Sequence, residues 1–342
     1  MKILYFTSSE ADYLSDSLLL GLRKLYGADC VDYPRADFLY ADCLPIVSSR
    51  IRGHGFTLYT GILEEINVDR SQLFYKMESG FYDLIVFSDA WKLFGYFLTW
   101  RMYLNPSNTV FLDGQDTPQV YSYAGRWWRY PYCWTLPRAE KGFLYFKREW
   151  TPDSQFNLWH RFIPQAWRRF LTPYSGLRTT AFSIPDEKIL TNPPVKSKEF
   201  AKHVVDPEVA AALPESSIRY AFTDEREYYE DLQNSRYAIT TKRAGWDCLR
   251  HYEIAANGCV PCFRNLQDKP KTCAPHGLVD GVNCVDYNGY EDLMLKLGKI
   301  NESLYQTIVS NALAWARENS CRRAAERLVG EWRSFSEKGN SL

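Results

Sequence analysis

The chain has 342 residues, 46% of them hydrophobic, with 41 Lys and Arg balanced by 41 Asp and Glu. That length suits two domains of roughly 150 residues each, and the composition excludes a disordered chain, a collagen-like repeat and a highly charged tail. The balanced charge gives no support to duplex nucleic-acid binding, which draws its affinity from a basic excess.

Met1–Ser8 reads as one short strand, too brief for the apolar stretch of a signal peptide. The best candidate for a bilayer span, Leu84 to Trp100, is interrupted by Asp89 and Lys92. With nine cysteines, an odd number, the expectation is a cytoplasmic protein with reduced thiols, and any membrane association would be peripheral, at the inner face.

Strand-like and helix-like segments then alternate. Lys2–Ser8 is β-rich, and Leu14–Tyr26 has apolar residues at helical spacing before the stop at Gly27. Phe56–Leu63 reads as a strand and Arg70–Gly80 as a helix. Asp83–Ser88, Thr109–Gly114 and Gly142–Arg148 are short apolar runs ending in polar residues, the pattern of buried parallel strands. Ser183–Lys198 holds Pro185, Pro193 and Pro194 and reads as a connection. A second series follows: Arg219–Phe222 as a strand, Glu225–Asn234 as a helix and Tyr237–Thr241 as a strand. Leu249–Asn257 is a helix stopped by Gly258, Cys259–Phe263 a strand, and Tyr290–Lys299 and Glu302–Glu331 are helical. The expected architecture is two doubly wound, Rossmann-like α/β domains facing a cleft. Their bounds are 1–182, a linker at 183–198, and 199–330, with the last helix free to pack back on the first domain.

In open parallel sheets the binding crevice lies beyond the carboxyl ends of the strands. That rule selects Ser8, Ser9, Glu10 and Asp12, then Ser88 and Asp89, Asp113 and Asp116, and Lys147 and Arg148 in the first domain. In the second it selects Lys242, Arg243, Trp246 and Asp247. There a strand enters a short loop with two cations and then a helix that Asp247 is placed to cap. The helix N-terminus and the cations suit a diphosphate. Arg250, Glu253 and Asn257 share one helical face, so Arg250 suits a phosphate and Glu253 ribose or sugar hydroxyls. A solvated face with a local Arg250–Glu253 pair is the equal alternative.

Arg250-His251-Tyr252-Glu253 followed by Gly258-Cys259-Val260-Pro261, within Asp231–Phe263, resembles the donor-binding segment of exostosin-type and CgeB-like glycosyltransferases. The resemblance covers about a tenth of the chain. It implies a GT-B fold, with a nucleotide-sugar donor in the second domain and an acceptor facing the first. It also implies a reaction without bound metal or other cofactor, the nucleotide sugar being a co-substrate. The Glu-x7-Glu pattern of retaining enzymes is interrupted, since Glu253 is flanked at that spacing by Gly245 and Pro261.

An inverting transfer needs a base that takes the acceptor proton. Asp113 and Asp116 are the first candidates, with Glu10, Asp12 and Asp16 as rivals; a cap or turn role is the ordinary alternative for each. Lys147, Arg148 and Asp12 are assigned to the acceptor or phosphate side, an ordinary surface position being the alternative for the two cations. Aromatic residues make up 16% of the chain, and the stretch Arg126–Trp134, echoed by Trp167–Phe170, suits a lipid-linked or polymeric glycan acceptor, or plain packing. Cys259, Cys262, Cys273 and His276 approximate a zinc spacing, although an apolar strand carries the first two. The reading is a hexosyl- or pentosyltransferase acting in polysaccharide biosynthesis. A non-catalytic nucleotide- or carbohydrate-binding protein and a zinc-stabilised interaction module are the alternatives.

Overall fold

The computed structural model describes residues 1–8, 10–43, 59–64, 66–118, 142–151, 164, 167, 176–219 and 221–339. Most of the aromatic stretches at 126–134 and 167–170, and Ser9, lie outside the described residues.

The first sheet has six parallel strands: β1 (Ile3–Phe6), β2 (Cys30–Tyr33), β3 (Leu84–Phe87), β4 (Thr109–Asp113), β5 (Leu144–Lys147) and β6 (Leu177–Thr179). They lie in the order β2-β1-β3-β4-β5-β6. Every residue of β1, β3, β4 and β5 is buried, because a parallel sheet covered on both faces leaves its strands no wet side. Helix α1 (Tyr13–Tyr26) follows β1 and ends at Gly27, whose φ of 55° favours a residue without a Cβ. Helices α2 (Leu73–Glu78) and α3 (Phe94–Trp100) belong to the same lobe.

The second sheet has four parallel strands in the order β10-β9-β8-β7: β7 (Lys198–Phe200), β8 (Ser235–Thr241), β9 (Val260–Arg264) and β10 (Val285–Tyr287). Around it run α4 (Pro207–Ala212), α5 (Glu225–Asn234), α6 (Leu249–Ala256), α7 (Tyr290–Leu297) and α8 (Glu302–Glu318). The strand expected at Arg219–Phe222 does not form in its described residues; β7 takes the place beside β8. Of the strand expected over Phe56–Leu63, the described part is confined to a single bridge between Leu63 and Tyr40.

The helix expected over Glu302–Glu331 is broken. It stops at Asn319, where the connection pairs with the break: Ile184 N donates to Asn319 O at 3.2 Å and Cys321 N to Ile184 O at 2.8 Å. Helix α9 (Cys321–Gly339) then crosses α1. The crossing is close enough that a Cβ on Gly21 would lie 1.9 Å from the Cys321 carbonyl oxygen. One apolar core runs through Leu18, Leu22, Tyr252, Trp315, Cys321 and Leu328, tying α1, α6, α8 and α9 together, with Tyr252 stacked on Trp315 at 4.9 Å.

Candidate active site

In the second lobe, β8 delivers Thr241 into the loop at 242–248, which leads into α6. Arg243 N donates to Gly245 O at 2.9 Å, closing a tight turn that leaves Lys242 and Arg243 exposed. Trp246 stacks on Phe263 of β9 at 6.3 Å, and the Lys242 ammonium lies 5.0 Å from the Trp246 ring centroid. His251 pins the loop to the helix, with Nε2 3.0 Å from Trp246 O and Nδ1 2.8 Å from Thr240 Oγ1. A carbonyl only accepts, so Nε2 carries the proton and Nδ1 accepts the Thr240 hydroxyl. Burial pushes His251 down to about 3, and it stays neutral. A cavity of about 440 Å³ opens at the ends of β8 and β9, lined by Asp206, Thr241, Lys242, Trp246, Arg264 and Asn265 among others.

Asp247 does not cap α6. The residue at the cap is Cys248, and Asp247 points back toward the connection, accepting from Phe182 N and the Tyr252 hydroxyl, both at 2.8 Å. The contact with the returning chain outcompetes the local cap. On α6, Arg250 lies near His203, as does Arg243 of the loop; burial first and these two guanidinium groups hold His203 down at about 4. Glu253 is only 3% exposed, faces the hydroxyls of Tyr229 (3.3 Å) and Tyr228 (3.5 Å), and is pushed up to about 8, chiefly by burial. Asn257 finishes the helix, donating to Glu253 O at 2.9 Å and accepting from Gln233 Nε2 at 2.8 Å.

In the first lobe, Asp113 ends β4 fully buried. It accepts from Lys147 Nζ (2.8 Å), Tyr145 hydroxyl (2.7 Å) and Gln115 N (3.0 Å). Lys147 has no exposed surface, and burial pulls its ammonium down while Asp113 holds the charge. Arg148 is 1% exposed. Its Nε and Nη2 donate to Gly114 O at 3.2 and 2.9 Å, Nη2 to Asp116 as well, and Nη1 to Glu149 and Asp247 O at 3.0 Å each. Both cations are thus occupied within the protein. Asp116 is half-exposed, and Glu10 is exposed and pairs with Lys92 at 2.7 Å. Asp12 caps α1, accepting from Ser15 N at 2.9 Å, and Asp16 accepts from Asp12 N at 3.0 Å.

The two lobes meet where the Lys242–Trp246 loop crosses the end of β5. Asp247 N donates to Glu149 Oε1 at 2.7 Å, and Ala274 N to Arg148 O at 3.2 Å. A Cβ on Gly245 would fall 2.6 Å from Glu149 Oε1 and 2.9 Å from Asp116 Oδ1. Asp116, Arg148 and Asp247 therefore come together with the loop, whereas Asp113 stays behind in its own ion pair. Glu149, Asp206, Arg264 and His203 were not marked by the sequence reading. Glu149 sits one position past the Lys147-Arg148 pair, and that adjacency was its only signal. Cys259 and Cys262 pack in separate clusters on opposite faces of the second sheet, and among the described residues no three His, Cys, Asp or Glu side chains gather as a metal site.

No protein-family model matches the chain, and no curated protein matches it in sequence. Solved structures resemble it along its whole length. HepE of Anabaena, solved in complex with UDP-glucose, shares 13% identity with 100% of both chains covered and a TM-score of 0.52. The trehalose-6-phosphate synthase OtsA shares 12% identity over 97% of this chain and 99% of its own, with a TM-score of 0.52. A glycosyltransferase from Rickettsia africae shares 10% identity over 98% of each chain, with a TM-score of 0.50. The fold is the GT-B fold, two parallel α/β lobes whose carboxyl ends carry the loops described above. Among the described residues no helix is long and apolar enough to cross a membrane.

Proposed function

We propose that the protein is a glycosyltransferase that moves a sugar from a nucleotide-sugar donor to a hydroxyl of a glycan or glycoconjugate. One observation carries the reading: in a chain of GT-B fold, the loop that carries the exposed cations Lys242 and Arg243 into α6 meets the carboxylates Asp116 and Glu149 of the opposite lobe at Gly245. The HepE structure, which holds UDP-glucose, supports a nucleotide sugar as the donor class. Lys242, Arg243 and Arg250 would neutralise the departing diphosphate, whereas Glu253, buried against Tyr228 and Tyr229, would support α6 from within instead of reaching the ribose. The carboxylates of the first lobe would serve the acceptor. Gly245 and Pro261, standing where retaining enzymes carry a second Glu, favour inversion, and the three cations favour a leaving group stabilised without metal. Since Lys147 and Arg148 are spent on Asp113, Asp116 and Glu149, an uncharged glycan fits the first lobe better than an anionic one. The exostosin-like subtype, polysaccharide biosynthesis and a peripheral position at the inner face of a membrane belong to the same reading.

A thermal-shift panel of nucleoside diphosphates and nucleotide sugars tests it. Ligand at a hundredfold excess over its dissociation constant adds about 2.7 kcal/mol to stability, an easily read rise in melting temperature. A flat response to all uridine, guanosine, adenosine and cytidine compounds overturns the reading. Binding without turnover would instead favour a non-catalytic nucleotide- or carbohydrate-binding protein of the same fold.

A further inference from the structure

The carboxyl ends of β1, β3 and β4 lie side by side, and two carboxylates share that edge. Asp12 follows β1. Its Oδ1 caps α1 through Ser15 N, yet both carboxylate oxygens also approach the turn after β4, where a Cβ on Gly114 would meet them at 3.4 and 3.5 Å. Asp12 therefore borders the turn after β4 and is part-buried. Asp89 follows β3, the strand between. It is 3% exposed; Oδ1 accepts from Trp91 N (2.8 Å) and Lys92 N (3.1 Å), while the buried Oδ2 has no hydrogen-bond partner.

A helix cap explains Asp12 Oδ1 but not a second, buried carboxylate beside it whose Oδ2 has no hydrogen bond and only a long ion-pair contact with Lys92. Burial first, and the Asp12 charge second, push Asp89 up to about 6; the same two causes push Asp16, behind Asp12 on α1, well above the carboxylate range. Burial raises Asp12 as well, against the pull of Lys92 and Arg148. Lys92 is divided between Glu10 (2.7 Å) and Asp89 (3.8 Å), Arg148 is held by Asp116 and Glu149, and Asp113 on β4 is neutralised by Lys147. No cation is dedicated to Asp12. Like charges crowded in a dry crevice raise proton affinity, which is the property a base needs.

We propose that Asp12 takes the proton of the acceptor hydroxyl and that Asp89, acting through Asp12, is a positioning residue that keeps it basic. The proposal rests on the glycosyl-transfer reading and names the base within it. The acceptor O–H proton passes to the Asp12 carboxylate as the acceptor oxygen bonds to the anomeric carbon. The bond from that carbon to the diphosphate oxygen breaks, and its electron pair leaves with the diphosphate.

The test uses the full chain and whichever nucleotide sugar gives the largest thermal shift, following nucleoside diphosphate release with water and with glucose as acceptors across pH 4.5–9. Asp12→Asn is the informative variant, because Asn caps a helix as well as Asp does and the fold is kept. It should retain the donor-induced thermal shift and lose about a hundredfold or more in kcat, the usual worth of a positioned base. Asp12→Ser, another good cap, should behave alike. Asp89→Asn keeps its carbonyl for Trp91 N and Lys92 N. It should still turn over, with the acid limb of kcat/KM moved to lower pH, since removing a neighbouring negative charge lets Asp12 ionise sooner.

Three results would overturn the proposal: Asp12→Asn turning over within about fivefold of wild type, an acid limb that Asp89→Asn leaves in place, or a bound donor that the wild type never cleaves. A chain that binds no nucleotide fails the parent reading instead, so the two failures are separable.

Discussion

The Arg148 guanidinium, at the end of a strand in one lobe, donates to the Asp247 main-chain carbonyl in the other at 3.0 Å while also holding Gly114 O, Asp116 and Glu149. One buried side chain thus fixes how the 242–248 loop sits against the opposite lobe. Its planar fork reaches two lobes at once, which a point-like ammonium cannot do.

Replacing Arg148 by Met should cost about 3–5 kcal/mol, because Glu149 would be left buried without its cation. Arg148→Lys should recover little of that loss. Denaturant unfolding followed by tryptophan fluorescence measures both.

Gly21→Ala should be among the most damaging single-methyl additions in the chain. The new Cβ would meet the Cys321 carbonyl, which is backbone and cannot rotate away, so α1 and α9 must part. Overpacking of this kind costs about 1–3 kcal/mol or more, measured as a fall in melting temperature. Gly245→Ala meets the Glu149 and Asp116 carboxylates instead; it should displace the loop and weaken nucleotide binding more than it lowers stability.

Lys242→Ala and Arg243→Ala should leave the melting temperature nearly unchanged, since both side chains are exposed. Each should weaken nucleoside diphosphate binding about tenfold, in keeping with about 1.5 kcal/mol for a hydrogen bond to a charged group. Titration calorimetry at two salt concentrations checks this, and the loss should shrink at high salt.

Glu253 gives stability a pH dependence of known sign. Its proton is held more tightly in the folded chain, up to about 8, than the ordinary value near 4.5, so folding is favoured while it stays protonated. That contribution is complete below about 4.5 and is lost as pH rises toward 8. Glu253→Gln, which cannot ionise, should therefore gain on the wild type in melting temperature between pH 5 and pH 9. A gap that stays constant across that range would contradict the assignment.

Much of the fold was legible because its strands are buried on both sides. Leu84–Phe87 and Thr109–Asp113 are unbroken apolar runs, and Glu225–Asn234 carries its own cap in Asp224, so each appears within a residue or two of where it was expected. Strands β2, β6, β7 and β10 were missed. Each has three or four residues and polar members such as Asp32, Arg178, Glu199 and Asp286, and neighbouring strands rather than local pattern decide them. The break at Asn319 was invisible for a related reason: it is made by pairing with Ile184, 135 positions away in the chain.

The site was less legible than the fold. Proximity to a strand end was readable, so Asp12, Asp113, Lys147 and Arg148 all stood out, but which charge cancels which is a long-range fact. Asp113 meets Lys147 across 34 positions, and Glu149 meets Asp247 across 98.

The crossing of α9 over α1 also sets an order of events on the ribosome. The leucine face of α1 is made well before the helix that covers it. Through most of elongation that face must be shielded by chaperones or by provisional contacts, and the amino-terminal sheet completes its interior only after the second sheet has been synthesised. Expressed alone as residues 1–182, the first lobe should precipitate or bind a hydrophobic dye, and a separately supplied second fragment should rescue it.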